Sequence, residues 1–349
     1  MFLAWNEIKR NKLKFGLIIG VLIMISYLLF LLSGLASGLM NMNREGIDRW
    51  QADAIILNKD ANQTVQQSLF EKEDVTDVYD KQATLKQVGV IVSNSDKEEN
   101  ALLFGVEKQS FLIPKLIEGK PFKSNNEVVA DETLKEKGFK VGDTLSLSQS
   151  DETIKIVGFS ESAKYNASPV LFANDATIEK LNPSLNEKMT NAVVVKGSNW
   201  EKKTIESDLE AIEIESFIEN LPGYQAQNLT LNFMISFLFV ISATVIGIFL
   251  YVMTLQKTSL FGVLKAQGFT NGYLAKVVLS QTFIISLIGT LIGLGLTILT
   301  GAFLPSAVPI KFDVVTLIIY GVVLIVVSLI GSLFSILTIR KVDPLKAIG

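Results

Sequence analysis

Chemistry in this chain is bounded first by what its 349 residues lack, since there is neither a His nor a Cys. Without His the commonest metal ligand and general base are gone, and without Cys so are thiolate ligands, cysteine nucleophiles and disulfides. A zinc enzyme and a Ser-His-Asp hydrolase are excluded, and we assign no catalytic residue and no metal site. A P-loop needs Gly-x-x-x-x-Gly-Lys-Ser/Thr so that backbone N–H groups can cradle phosphate, but Gly119-Lys120 is followed by Pro121. Any ATP chemistry must therefore sit on a separate subunit. What remains is a short basic stretch, KTSLFGVLKAQGFTNG at 257–272, with no acidic residue and an apolar run on either side. Leu260, Phe261, Val263 and Leu264 can form one face of a short helix, with Gly262, Gly268 and Gly272 as punctuation. Such a face can dock into a groove on a partner. The plain alternative is a basic connector lying on the lipid surface.

The elements that would hold this stretch follow from hydropathy. The chain is 49% hydrophobic, with a mean hydropathy of +0.38, which places it in the membrane class. Four apolar runs, 15–43, 229–255, 277–304 and 314–339, are each long enough to cross a bilayer. None contains Asp, Glu, Lys or Arg, so no proton or ion relay is visible and secondary transport is disfavoured. The first run is longer than a signal-peptide core and has no clear small-x-small cleavage site, so it reads as a retained span. Residues 1–14 precede it. Phe2, Leu3, Trp5, Ile8 and Leu13, with Lys9, Arg10, Lys12 and Lys14, predict an amphipathic interfacial helix. Gly34 and Gly38 form one GxxxG and Gly289 and Gly293 another. Small residues at that spacing let helix backbones approach, and the first pair would suit a homodimer contact.

Basic residues set the orientation. Lys9, Arg10, Lys12 and Lys14 lie at the start, Lys257, Lys265 and Lys276 in the loop 256–276, and Arg340, Lys341 and Lys346 in the tail 340–349. The other short loop, 305–313, has only Lys311. The positive-inside rule then puts both termini and the loop 256–276 in the cytoplasm of a multi-pass cell-membrane protein, with 44–228 outside. Within 44–228, β-type runs occur at 54–57, 88–92, 101–106, 127–130, 144–147, 154–158, 170–172 and 192–195. Helical segments are expected near 62–73, 131–137, 175–181 and 199–211. The expected fold is four transmembrane α-helices with an α+β extracytoplasmic domain inserted between spans 1 and 2.

Local sequence adds a resemblance. Tyr251-Val252-Met253-Thr254 leads into Gly262-Val263-Leu264-Lys265-Ala266-Gln267-Gly268, and the tail reads Lys341-Val342-Asp343-Pro344-Leu345-Lys346-Ala347-Ile348. Glu118-Gly119-Lys120-Pro121, Asn126-Glu127-Val128 and Val141-Gly142-Asp143 lie in the middle. Together with the one-plus-three span layout, these resemble the FtsX/MacB-type permeases of ABC exporters over the whole chain. LAWNEIK, SGLASGL, YQAQNLTLNFMI and YVMTLQK are most similar to the haem-efflux members of that family. The resemblance implies a permease homodimer in membrane lipid, two copies of an ATPase subunit, no nucleic-acid partner, no intrinsic cofactor, and haem as the transported substrate. It also implies that Leu260, Phe261, Gly262, Val263, Leu264, Lys265 and Gly268 couple to the ATPase. A haem ligand must then be Tyr, Met, a carboxylate or Lys. Candidates are Tyr165 in the polar loop SESAKYNAS, Glu45, Met40, Met42 and Met234, with Phe30 and Phe233 to stack on the porphyrin. The same architecture would also serve export of a lipid or antimicrobial peptide, or a non-transporting regulator of a cell-wall enzyme.

Overall fold

The computed structural model describes residues 2–76, 78–94, 97–148, 150–305 and 308–340. They form two compact units, one of residues 39–228 and one of the segments on either side of it. The chain starts with α1 (Phe2–Arg10), breaks at Asn11 and continues in α2 (Lys12–Trp50). Helix α2 overruns the expected span 15–43 because its last turns carry Ile47 and Trp50, each 1% exposed in the core of the 39–228 unit. Arg44 and Asp48 bridge one turn of this extension at 2.8 Å.

Unit 39–228 is built on β1 (Ala54–Asn58), β2 (Phe70–Glu71), β3 (Lys81–Asn94), β4 (Lys97–Gly105), β5 (Leu116–Gly119) and β6 (Glu127–Asp131). These are followed by β7 (Thr144–Leu147), β8 (Thr153–Ser160), β9 (Val170–Ala173), β10 (Met189–Thr190), β11 (Ala192–Lys196) and β12 (Leu209–Glu213). Its short helices are α3 (Glu132–Glu136), α4 (Asp175–Leu181) and α5 (Ile214–Glu219). Ten strands make one mixed sheet in the order β12-β1-β11-β3-β4-β9-β6-β8-β5, with β7 paired to β3 and β8. Strands β4 and β9 run parallel, as do β6 and β8.

The continuous apolar runs have a direct cause. Side chains alternate across a strand, and here both faces are covered. Ile55 and Leu57 enter the core around Trp50, Phe104, Tyr165 and Phe217. Ala54 and Ile56 enter a second core with Phe70, Val75, Val193 and Val195. A third core, around Leu103, Phe139, Ile156 and Leu171, packs against α3 and α4.

Two expected helices are replaced. Over 62–73, Asn62 and Gln63 take positive φ of 45° and 57°, which ends a right-handed helix. Ser68 then accepts from the Asn58 N–H at 3.0 Å through its hydroxyl and from Asn191 Nδ2 at 2.6 Å through its carbonyl, so the segment is held as short turns. Over 199–211, the open edge of β1 recruits Leu209–Glu213 as a strand, with Ile55 opposite Ile212 and Asn58 opposite Leu209. A ladder that satisfies β1's backbone outweighs helix propensity there.

The second unit contains α6 (Tyr224–Gln256), α7 (Thr258–Ala266), α8 (Asn271–Phe303) and α9 (Val314–Arg340). Among the described residues, α2, α6, α8 and α9 are the helices long and apolar enough to cross a membrane. They pack through small residues and hydroxyls, as expected where lipid is as apolar as Leu. A Cβ on Gly289 would lie 2.7 Å from Leu22 Cβ, and one on Gly293 would lie 2.9 Å from the Tyr27 nitrogen and clash with Ser26 Oγ. The Ser26 hydroxyl donates to the Gly289 carbonyl at 3.0 Å, and Tyr27 and Thr300 share a hydroxyl bond of 3.1 Å. Helices α6 and α9 cross where Gly331 meets the Ala243 carbonyl and a Cβ on Gly247 would lie 3.0 Å from the Gly331 carbonyl. Ser335 bonds Thr254 across the same pair. The other GxxxG is used differently from the homodimer contact expected of it. Gly34 lies under Phe312, whose Cε1 would be 2.5 Å from a Cβ there, and Gly38 lies under the Pro309 carbonyl. The Lys311 N–H also donates to the Gly34 carbonyl at 3.0 Å. This glycine face is filled by its own chain because the 309–312 segment needs backbone-level contact. The tail beyond Arg340, with its Asp343-Pro344 motif, lies outside the described residues.

Candidate functional site

The stretch 257–272 is mostly helix. Helix α7 ends where its sequence stops allowing helix. Gly268 takes φ +93°, its N–H donates to the Lys265 carbonyl at 3.0 Å, and the Phe269 N–H donates to the Leu264 carbonyl at 3.1 Å. That pair of bonds is a Schellman stop, which requires a residue free to be left-handed. No atom lies within 4 Å of a Cβ built on Gly268, so the requirement there is conformational and not steric. Two residues on, the Thr270 hydroxyl accepts from the Tyr273 N–H at 3.3 Å and caps α8. The motif is therefore a helix stop joined to a helix start.

Its four apolar residues, which the sequence places on one face, divide between two. Phe261 is 5% exposed and packs on Leu274, Val278 and Ile336, with Leu264 partly buried against the same group. Gly262 is buried as well. Leu260 and Val263 point the other way and are 48% and 38% exposed. The reason is register. Residues 261 and 264–265 lie a helical turn apart over the α8–α9 contact, which turns 260 and 263 outward. Lys265 is half-buried. Sequence reasoning missed Phe269 and Tyr273, which are also exposed, with rings 5.1 Å apart. The glycine-stop pattern before Phe269 was the signal available for finding them.

The haem candidates divide between the two units. In unit 39–228, Tyr165 leaves its expected polar loop for the core. It stacks on Trp50 at 6.3 Å and meets Phe104 edge-on at 5.5 Å. Burial pushes its phenol well above the ordinary tyrosine value. A ring held this way has no face left for a ligand. Its polar neighbours in SESAKYNAS are half-buried, with Ser160 fully buried, and Tyr165 is pinned by a two-way backbone bond with Ser168. Glu45 is no solvated charge. It accepts from the Ser162 hydroxyl at 2.6 Å and lies 3.8 Å from Arg49, which itself pairs with Glu161 at 2.8 Å. Met40 packs partly against the Trp50 core. Met42 is half-buried, and its carbonyl accepts from the Ala167 N–H at 3.1 Å.

In the helical unit, Phe30 is fully buried with Leu29, Ile235 and Leu317, so its ring offers no exposed face. Phe233 and Met234 are 62% and 47% exposed on α6, and Phe233 sits 4.7 Å from Phe237. An apolar groove of about 580 Å³ runs between α6 and α9, lined by Ile248, Tyr251, Ile330, Phe334 and Leu337. Its floor is the Gly247–Gly331 contact, and it gives Tyr251 of the YVMT motif a place. Among the described residues no group of three or more Asp or Glu converges as a metal site.

Known proteins match the chain along its length. Residues 15–213 match the family described as MacB-like periplasmic core domain. Residues 232–344 match FtsX-like permease C-terminal. The "Putative hemin transport system permease protein HrtB" of Staphylococcus haemolyticus is 28% identical over 355 residues, covering 100% of this chain and 99% of that one. The protein of the same name from Staphylococcus epidermidis is 29% identical over 354 residues with the same coverage. Among solved structures, the periplasmic region of MacB from Actinobacillus actinomycetemcomitans superposes with a TM-score of 0.36 at 17% identity, covering 50% of this chain and 93% of that one.

Proposed function

The chain belongs to the FtsX/MacB-type family of ABC transporter permeases, and from that premise we propose that it exports haem, driven by a separate ATPase subunit. In this reading two copies of the chain and two ATPase subunits form the working complex. Both termini and α7 lie in the cytoplasm, and unit 39–228 lies outside. ATP binding closes the ATPase pair. The closure is felt at Leu260 and Val263, and Phe261 passes it to α8 and α9. Haem leaves by an outward opening along the exposed flank of α6, where Phe233 offers a stacking face and Met234 a weak axial ligand. Weak ligation suits a transit site, because tight binding would slow release.

The observation that carries this reading is the split of α7 into a buried anchor and an exposed apolar pair. An exposed Leu and Val on a short helix, with no intramembrane charge elsewhere to power transport, are explained by a partner surface. Haem as cargo is supported by the names of the full-length staphylococcal relatives.

Leu260→Asp combined with Val263→Asp tests the coupling. It should abolish co-purification with an ATPase subunit and sensitise cells to haem, while the chain remains folded in the membrane. Unchanged haem tolerance in a strain lacking this chain would reject haem as cargo. Retained ATPase binding in the double variant would reject α7 as the docking helix.

A further inference from the structure

Glu7 is the only acidic residue in the first 44. In the helical unit the other acidic residues are Asp313 and Asp343. Its two carboxylate oxygens serve two different partners, the α6–α7 joint and α8. Oε1 accepts from Lys257 Nζ at 2.7 Å, and Oε2 accepts from Gln281 Nε2 of α8. Its backbone carbonyl accepts from both the N–H and the side chain of Asn11, at 3.1 and 3.3 Å, across the break between α1 and α2. Lys257 is the single residue between the end of α6 and the start of α7. Its ammonium also sits 5.5 Å from the Phe15 ring of α2, and next to it Lys14 Nζ donates to Gln256 Oε1 at 2.6 Å. The pair is sheltered, with Lys257 18% and Glu7 20% exposed, and Gln281 is 4% exposed.

A sheltered ion pair is a poor source of stability, because desolvation offsets much of the attraction, but removing one partner strands the other. What such a pair supplies is placement. Here α1 is nine residues long, too short to hold itself as a helix, and its inward contacts include Ile8 against the α2–α6–α8 core and the Glu7 carboxylate. The carboxylate fixes α1 to α8 and to the joint from which α7 starts.

We propose that Glu7 is a positioning residue for coupling. By holding Lys257 against α8, it makes a push on α7 move α1, α2 and α8 together instead of bending the α6–α7 joint. This rests on the reading of α7 as the ATPase-facing helix.

The test uses the full chain with its ATPase subunit in nanodiscs, as wild type, Glu7→Lys, Lys257→Glu and the double reversal. Haem exported per ATP hydrolysed is the readout. Each single reversal should lower that ratio about tenfold, the scale of a directly contacting pair, without slowing ATP hydrolysis. The double reversal should restore most of it. Because the chain has no Cys, a nitroxide on Asn6→Cys, an exposed position of α1, reports the clamp independently. Its spectrum should sharpen in the single reversals and broaden again in the double. An unchanged spectrum overturns the proposal. A released α1 with an unchanged export ratio also overturns it, leaving Glu7 a mere tether. If Leu260→Asp with Val263→Asp changes nothing either, the reading of α7 has failed and the proposal falls with it.

Discussion

Replacing Tyr165 by Ala removes a ring that the sequence offered as a haem ligand and the structure uses as a core wedge. The ring is 6% exposed and lies between Trp50 and Phe104. Truncating a buried aromatic to Ala costs about 3–5 kcal/mol in lost burial and residual cavity. The two ring contacts alone account for about 1–3 kcal/mol of that. For a unit the size of 39–228, 1 kcal/mol shifts the melting temperature by about 2–4 °C, so the drop should be roughly 10 °C. Tyr165→Phe keeps the ring and should stay within about 2 °C of wild type. The assay is thermal unfolding of the full chain in detergent, followed by near-ultraviolet circular dichroism and paired with the absorption spectrum of the haem-loaded protein. If the chain carries haem as proposed, any haem band lost in Tyr165→Ala should fall in step with the loss of folded protein. A Tyr165→Phe protein that melts like wild type but loses the haem band would refute this reasoning, because only the phenol oxygen would have changed.

Three further outcomes are expected. Gly268→Ala should cost about 1 kcal/mol by forcing a Cβ into left-handed backbone, seen as faster amide exchange in α7 and the first turn of α8. Gly293→Leu should destabilise the helical unit by about 1–3 kcal/mol or more through the α2 contact, whereas Gly295→Leu, where nothing lies within 4 Å of the added Cβ, should leave the detergent melting temperature unchanged. The raised Tyr165 phenol makes stability fall at alkaline pH. The unfolded chain ionises near the ordinary tyrosine value of about 10 while the folded chain resists, so the contribution is complete below pH 10 and lost above it. Melting curves of wild type and Tyr165→Phe should therefore diverge only above about pH 10.

How much was legible in the sequence varies with the range of the interaction. The eight β-type runs fall on strands of the sheet, 101–106 running one residue past β4, and the near-continuous apolar character of runs such as 54–57 reflects burial on both faces, as Ile55 and Ile56 facing different cores illustrate. Strand β12 was not legible, because Leu209–Glu213 is a strand only by virtue of β1's open edge. The site list fared likewise. Phe30 and Tyr165 have the right atoms for a porphyrin, but nothing local to either residue records that a core closes over it. Glu7 lies in a segment that reads as basic, and its partners are 250 and 274 residues away in the chain.

By itself, the sequence determined the quantities that add up locally: four uncharged apolar runs, a polar middle, no His, no Cys and no P-loop. Hydropathy and ligand chemistry are sums over neighbours in the chain, so they need no fold to be read. Only the tertiary structure decided orientation about each axis. It turned Phe261 inward and Leu260 and Val263 outward. It gave Gly34 and Gly38 to Pro309 and Phe312 of the same chain and Gly289 and Gly293 to α2. It joined Glu7 to Lys257. Each of these depends on which distant surface a helix face meets, and helical periodicity supplies the face but never its partner.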